Sequence, residues 1–452
     1  MPQYQTITLT SAIAQLGSRL NDSANIYFTQ IELQNAISEA LRWLQALTGF
    51  YRERERFTIV SNQVFYDLRY VLDTPAGSTY PYAFSITDNQ LLAEIQYHFI
   101  EQVANPQTIL LQYPVSVIAQ ALQRNRDQFL TDTGIYITQS IPAGPINGDG
   151  RINLAQTVLD VRRAAWQDAA SLQNRRLRRT DEYAALGYSR LWPQTADLPY
   201  SYSVSLTPPI QLQLIPIPLN TGNLDICSLD SGPALPCTPA SPVVLGIPDD
   251  YVWGVKYGAM ADLLGQDGPN TDVERSQYCR TLYQLAMTEA RKVVTVLLGR
   301  IEDLETFISG IASFDAYRNG WQTIPPQTPT DLLIVSPNLL AVSPTPDKTY
   351  RLTLDMVRSM PIPVLGTDFL QIDSSMLEPV LDLSQHIASF KMASAEFMVT
   401  TTLRNNFLRM AALMNSRLQA NTFFKLLLEA PAQRPELDVP RLTPSMRETV
   451  NA

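Results

Sequence analysis

The chain has 452 residues, of which 45% are apolar and 17% charged, with a formal net charge of −9. That length gives room for two to four domains at roughly 150 residues each, and the composition excludes an intrinsically disordered chain. The acidic balance excludes nucleic-acid binding along the whole surface, so any DNA contact must be local or loose.

Residues 1–134 read as helices interrupted by a hairpin. Thr29 and Glu32 form a T-x-x-E capping box, Ile37, Leu41, Leu44 and Leu47 share a helical face, and Gly49 marks the stop. RFTIVSNQVFYDL gives two short strand-like runs around Ser61, Asn62 and Gln63, the expected hairpin. Thr87 and Gln90 cap a helix carrying Leu91, Ile95 and Phe99, and another follows through Ile118, Leu122 and Phe129.

From 135 to 240 the pattern alternates with period two, as in TVLDVRRAAW and SYSVSLTPPIQLQLIPIPLNTGNLDICSL, which predicts an antiparallel β region. Ile210, Leu212 and Leu214 should face one side and Gln211 and Gln213 the other, until Pro216 and Pro218 end the ladder or place it at an edge. Residues 241–307 predict a helical pair that completes the bundle, the second helix running through VERSQYCRTLYQLAMTEARKVVTVLLGRIEDLE. A Pro-rich linker is expected over 308–341 and a strand, helix, helix unit over 342–428, with Ser375 and Glu378 as a capping box. The last segment, 429–452, is expected to be an extended tail that orders on a partner. The fold class is therefore α+β, an antiparallel helical bundle with an inserted antiparallel β region and a second, smaller helical unit.

Chemistry-bearing residues are sparse. Cys227, Cys237 and Cys279 form no C-x-x-C pair, and two free thiols outweigh a Cys227–Cys237 bridge. His98 and His386 sit in helical patterns and read as structural. INGDGRIN matches a calcium loop at Asn147, Asp149, Gly150 and Ile152, but Pro145 and Gln156 stand where two carboxylates belong, so a Gly-Asp turn is the better reading. Asp249 and Asp250 follow Pro248, where helix initiation explains them. RERER at Arg52 to Arg56 alternates in sign and suits salt bridges, within the chain or between subunits. The densest positive patch is NRRLRRT: Arg175, Arg176, Arg178 and Arg179 are the candidates for contact with a partner or with DNA phosphates. TYPYAFS and LPYSYSV bring tyrosines of the kind interfaces favour, beside a reading as ordinary packing. No nucleophile elbow, Walker loop, dinucleotide fingerprint or H-E-x-x-H occurs, so no catalytic residue, metal or cofactor is expected. The opening residues lack a signal-peptide pattern and no run approaches 18 apolar residues, so a cytosolic product without a membrane span is expected.

Taken in order, ALQRNRDQFLTDTG, TVLDVRRAAWQD, TDEYAALGYSRLWPQ, IQLQLIPIPLNTGNLDI and IPDDYVWGVKYGAMADLLGQDGPNTDVERSQYCRTLYQLAMTEAR resemble the head-to-tail adaptor, connector or neck, proteins of tailed bacteriophages over about residues 1–295. The chain departs from small members of that family by its extra unit after residue 340. The resemblance implies a non-enzymatic virion subunit, assembled in the host cytoplasm. It would form a homo-oligomeric ring of about twelve copies between portal protein and tail or nozzle proteins. Packaged DNA would pass through with only loose, non-specific contact, and the C-terminal segment would dock on the portal. A tail-tube, nozzle or other neck component is the alternative. A calcium-binding surface module built on INGDGRIN and a phage hydrolase using paired carboxylates are remoter rivals.

Overall fold

Local capping sets the first helices. The computed structural model describes residues 4–68, 84–99, 113–140, 150–168, 174–188, 190–205, 210–238, 240–266, 271–293, 295–318, 320–392 and 394–415. Helix α1 (Leu9–Arg19) starts at Thr8, whose side chain accepts from the Ser11 amide. Helix α2 (Gln30–Thr48) carries the Thr29–Glu32 capping box and ends at Gly49, φ +55°, in the left-handed region that glycine tolerates. Helix α3 (Asp88–Phe99) follows the reciprocal Thr87–Gln90 bonds, and α4 (Val115–Thr133) ends at Gly134, φ +62°. A short α5 (Glu182–Tyr188) lies within the β-rich middle. The pair α6 (Val252–Leu264) and α7 (Val273–Lys292) comes next, then α8 (Ile311–Tyr317), α9 (Ser374–Ser389) and α10 (Ser394–Val399), with further helix over 401–415.

All of these except α5 and α8 contribute to one apolar core. Helix α6 is buried on nearly every face and lies at its centre, because Gly254 and Gly258 let its neighbours close in. A Cβ at Gly254 would stand 2.5 Å from the Ala286 Cβ of α7, and one at Gly258 would stand 2.5 Å from the Asn125 side chain of α4. Trp43 of α2 stacks on Trp253 of α6 at 4.1 Å between ring centroids, an arrangement that adds about 1 kcal/mol beyond burial. Helix α9 packs on α2 and α1 in this same core, so the C-terminal helices expected as a second unit share the first one's interior.

Two β units flank the helices. The first pairs a sheet of Thr138–Ser140, Gly222–Asp230, Val158–Asp168 and Asn174–Arg176 with a sheet of Arg151–Asn153, Gln211–Ile215, Ser201–Ser205 and Arg178–Arg179. Between them lie Val161, Ala164, Trp166, Leu177, Tyr202, Leu212, Leu214 and Ile226. Most pairings are antiparallel as the alternation predicts, but Arg178–Arg179 runs parallel to its neighbour. Leu212 and Leu214 face this core as expected, while Gln213 is buried too, accepting from Arg151 Nε at 2.9 Å.

The second unit joins Arg52–Ile59, Tyr350–Val357, Val296–Ile301 and Leu304–Glu305 in one sheet, and Phe307–Gly310, Asp331–Ser336, Leu339–Ser343 and Phe65–Asp67 in the other. Three expectations fail in this region, and a fourth fails at α9. The hairpin at 61–63 is a corner: Arg52–Ile59 pairs along its whole length with Tyr350–Val357, and Phe65–Asp67 pairs with Leu339–Ala341 in the facing sheet. The alternating Tyr350, Leu352, Leu354 and Met356 share one apolar core with Phe57 and Ile59, and Tyr66 and Leu68 join it from beyond the corner. The helix expected through Glu305 stops at Lys292, where the β-branched run VVTV begins, and Val296–Ile301 becomes a strand. The segment 308–341, expected as a linker, holds α8, the strand Asp331–Ser336 and parts of the strands Phe307–Gly310 and Leu339–Ser343, with Ile311, Phe314 and Trp321 packed on Leu333 and Ala341. The cap of α9 is Asp373, which accepts from the Ser375 amide, while Glu378 pairs with Arg19.

Buried polar contacts join the two β units. Asn338 accepts from the Ile137 amide at 3.0 Å and donates to its carbonyl at 2.9 Å. Ile137, Cys227, Leu229 and Leu339 close the seam with apolar contact.

Candidate functional site

The arginine run straddles a change of sheet. Leu177 is buried, its amide donating to Ala164 O in the first sheet, while the Arg178 amide donates to Tyr200 O in the second. Arg176 therefore lies beside Ala165, and Arg179 lies beside Tyr202. Facing them is a bulge in Val158–Asp168: Arg163 pairs with Cys227 and Val161 with Ser228, leaving Arg162 as the extra residue. The result is a hollow of about 290 Å³ walled by Arg162, Arg163, Arg176, Arg178 and Arg179 and completed by Leu177 and Tyr202.

The guanidinium groups differ in how far they are satisfied. Arg163 is buried and holds Asp315 through two bonds, Nε to Oδ2 at 2.9 Å and Nη2 to Oδ1 at 3.2 Å, with Asp225 at 3.3 Å. Burial alone would lower the Arg163 pKa, but the Asp315 carboxylate outweighs it and the net shift is upward. Asp315 also accepts from Trp321 Nε1 at 2.8 Å, so this pair belongs to the joint between the β units. Arg179 binds Asp160 at 2.9 Å, and that bond raises its pKa. Arg162 reaches Asp160 only at 3.5 Å and donates to Thr131 O at 2.5 Å, and Arg176 reaches Asp315 only at 3.6 Å and donates to Ala312 O at 3.3 Å. Arg178 is exposed and forms no ion pair among the described residues. An adjoining hollow of about 540 Å³ shares Arg179 but is walled by Asp181 and Glu182, with Tyr183 beside them.

Of the four arginines expected here, Arg176, Arg178 and Arg179 meet at one hollow, whereas Arg175 lies opposite Trp166 and does not line it. Arg162 and Arg163 were missed. Adjacent arginines in a strand point to opposite faces, so one was bound to face a neighbour, but the bulge that brings both to this wall leaves no mark in the sequence.

A second charged cluster lies in the helical core. Lys256 of α6 is buried against Glu39 of α2 and reaches Glu94 of α3 at 3.2 Å. Burial pushes its pKa down, Glu39 and Glu94 push it up more strongly, and the ammonium stays charged. The adjoining cavity of about 30 Å³, enough for a water, is lined also by Glu32, His98 and Lys391. A lone lysine in the apolar helix VWGVKYGAMADLL was the legible signal for this cluster.

The remaining candidates are structural in their contacts. Burial, with Lys256, Lys391 and Arg275 nearby, holds His98 well below the usual imidazole range. Burial likewise lowers His386 to about 3. Thr400 Oγ1 donates to Phe397 O and so accepts from His386 Nδ1 at 2.8 Å, which leaves Nε2 to accept from Tyr278 Oη at 2.6 Å. Asp249 and Asp250 lie at a helix start as expected, in a single 3-10 turn that follows Pro248 and runs into α6, and their side chains also tie distant segments. The Asp249 carboxylate accepts from the Ser85 and Ile86 amides, and Asp250 accepts from Ser359 Oγ at 2.8 Å. The three cysteines are free and buried, with burial raising Cys227 and Cys237 to about 12. In RERER, Arg54 pairs with Asp355, and Glu53 and Glu55 pair with Arg358, all within the chain.

Asn147 and Asp149 of INGDGRIN and Pro145 before it lie outside the described residues, and Gly150, φ +69°, leads into Arg151–Asn153. The tail 429–452 and most of TYPYAFS also lie outside them. Among the described residues no group of three or more His, Cys, Asp or Glu is placed to hold a metal, and no helix is long and apolar enough to cross a membrane. Comparison with known protein families and with curated proteins finds no match.

Proposed function

We propose that this chain is a virion structural protein, a head-to-tail adaptor subunit that assembles as a ring between portal and tail around the DNA channel. In this reading the helices act as an antiparallel bundle that forms the rigid body, with the β units and the C-terminal segment turned to neighbours. The observation that supports it is a pair of separate apolar exposures on a body whose parts are joined by buried contacts. Tyr183, Leu191 and Leu219 are 82%, 60% and 67% exposed on the first β unit. Val364 and Leu365 are 71% and 64% exposed on a loop held against α1, where Thr10 bonds Gly366 O. A closed ring needs two different complementary faces on each copy, and unpaired apolar side chains on distinct units suit such a heterologous contact.

The test is self-association of single-face variants. Leu191→Asp and Leu365→Asp should each abolish ring formation by analytical ultracentrifugation while leaving the circular dichroism unchanged. Rings that persist with either aspartate would contradict the assignment of these faces.

A further inference from the structure

We infer that the arginine-lined hollow of the first β unit is a binding site for a phosphate group. This does not depend on the ring reading, because every wall residue comes from one chain. Arg163 and Arg179 already hold Asp315 and Asp160, but Arg162 and Arg176 touch those carboxylates only at 3.5 and 3.6 Å and Arg178 pairs with neither. Arg162 and Arg176 each also give one donor to a backbone carbonyl, Thr131 O at 2.5 Å and Ala312 O at 3.3 Å, so the remaining donors of these two and those of Arg178 line one space of about 290 Å³.

Like charges gathered beside a buried wall repel unless an anion joins them. A carboxylate accepts one guanidinium fork; a phosphate carries more oxygens and more charge and can accept from three at once. The charge of the neighbourhood sets where the anion sits. Asp181 and Glu182 wall the adjoining hollow beyond Arg179, so a polyanion lying across both would meet two carboxylates. One phosphate on the arginine side is favoured, whether free or part of a DNA backbone.

The experiment is titration calorimetry of the full chain with inorganic phosphate and with a short DNA duplex. Wild type is compared with Arg178→Ala, Arg162→Ala and a control, Arg280→Ala, on α7. Saturable binding of either probe that weakens about tenfold in the first two variants and not in the control supports the site. Binding of inorganic phosphate assigns a free anion as source. Binding of duplex alone, with a salt dependence that drops by about one unit of log–log slope per arginine removed, assigns a backbone phosphate. No binding of either probe, binding unaffected by both variants, or binding of polyglutamate in place of phosphate would overturn the inference. Unchanged thermal midpoints show that the variants fold. Arg163 is left intact because Asp315 depends on it.

Discussion

Asp250 illustrates how burial turns a common residue into a pH-dependent one. Its carboxyl is buried beside Asp249 with one bond from Ser359, and burial raises it from 3.8 to about 7. Between those values the unfolded chain releases a proton that the folded protein keeps, so this group lowers stability as pH rises from about 4 to 7 and adds nothing further above. Asp250→Asn retains the acceptor for Ser359 and removes the titration. The variant should therefore gain on wild type, by an amount on the order of a few kcal/mol, as pH rises from 5 to 7.5 in urea denaturation. Parallel curves for the two proteins would refute that. His98 and His386 act in the opposite sense, since their lowered values favour the folded state as pH rises through 6.5, and the difference between variant and wild type cancels them. The sequence marked both histidines as structural, because each lies within an apolar helical pattern. It placed Asp250 at a helix start, where it lies, but an Asp-Asp pair after proline gives no sign that the second carboxyl is buried against Ser359.

Elements held together by adjacent residues were legible and those held by distant ones were not. The Thr29–Glu32 box and the Gly49 stop are written in local spacing, and both occur. For α9 two capping-type residues lie within a few positions, and Asp373 prevails over Ser375. The pairing of Arg52–Ile59 with Tyr350–Val357 crosses most of the chain, so no local pattern could announce it. The same distance hid the joint between the β units, where Arg163 from one meets Asp315 from the other. Removing one partner of such a buried pair leaves an uncompensated charge, so Asp315→Ala should cost about 3–5 kcal/mol in urea denaturation. The double substitution Arg163→Met with Asp315→Leu should recover most of that loss. A single substitution that costs under about 1 kcal/mol would show that the joint lies elsewhere.

At the scale of the molecule, composition already excluded a disordered chain, and the α+β class follows from segments of period 3.6 alternating with segments of period two. What composition could not give is the joining of parts. Segment 308–341 is rich in proline and threonine, which favours an irregular connection, yet Leu332, Leu333, Leu340 and Ala341 bury it in the second β unit. The candidate site was half legible for the same reason: NRRLRRT is visible as charge, but Arg162 and Arg163 join it only through tertiary structure. A low charge fraction suits a subunit that buries its flanks, since interface cores are depleted in charged residues. The most direct test is native mass spectrometry of the purified protein, alone and mixed with the portal protein. A closed ring, or a subunit that joins the portal in a fixed multiple, is the result expected of an adaptor; a monomer indifferent to the portal would contradict it.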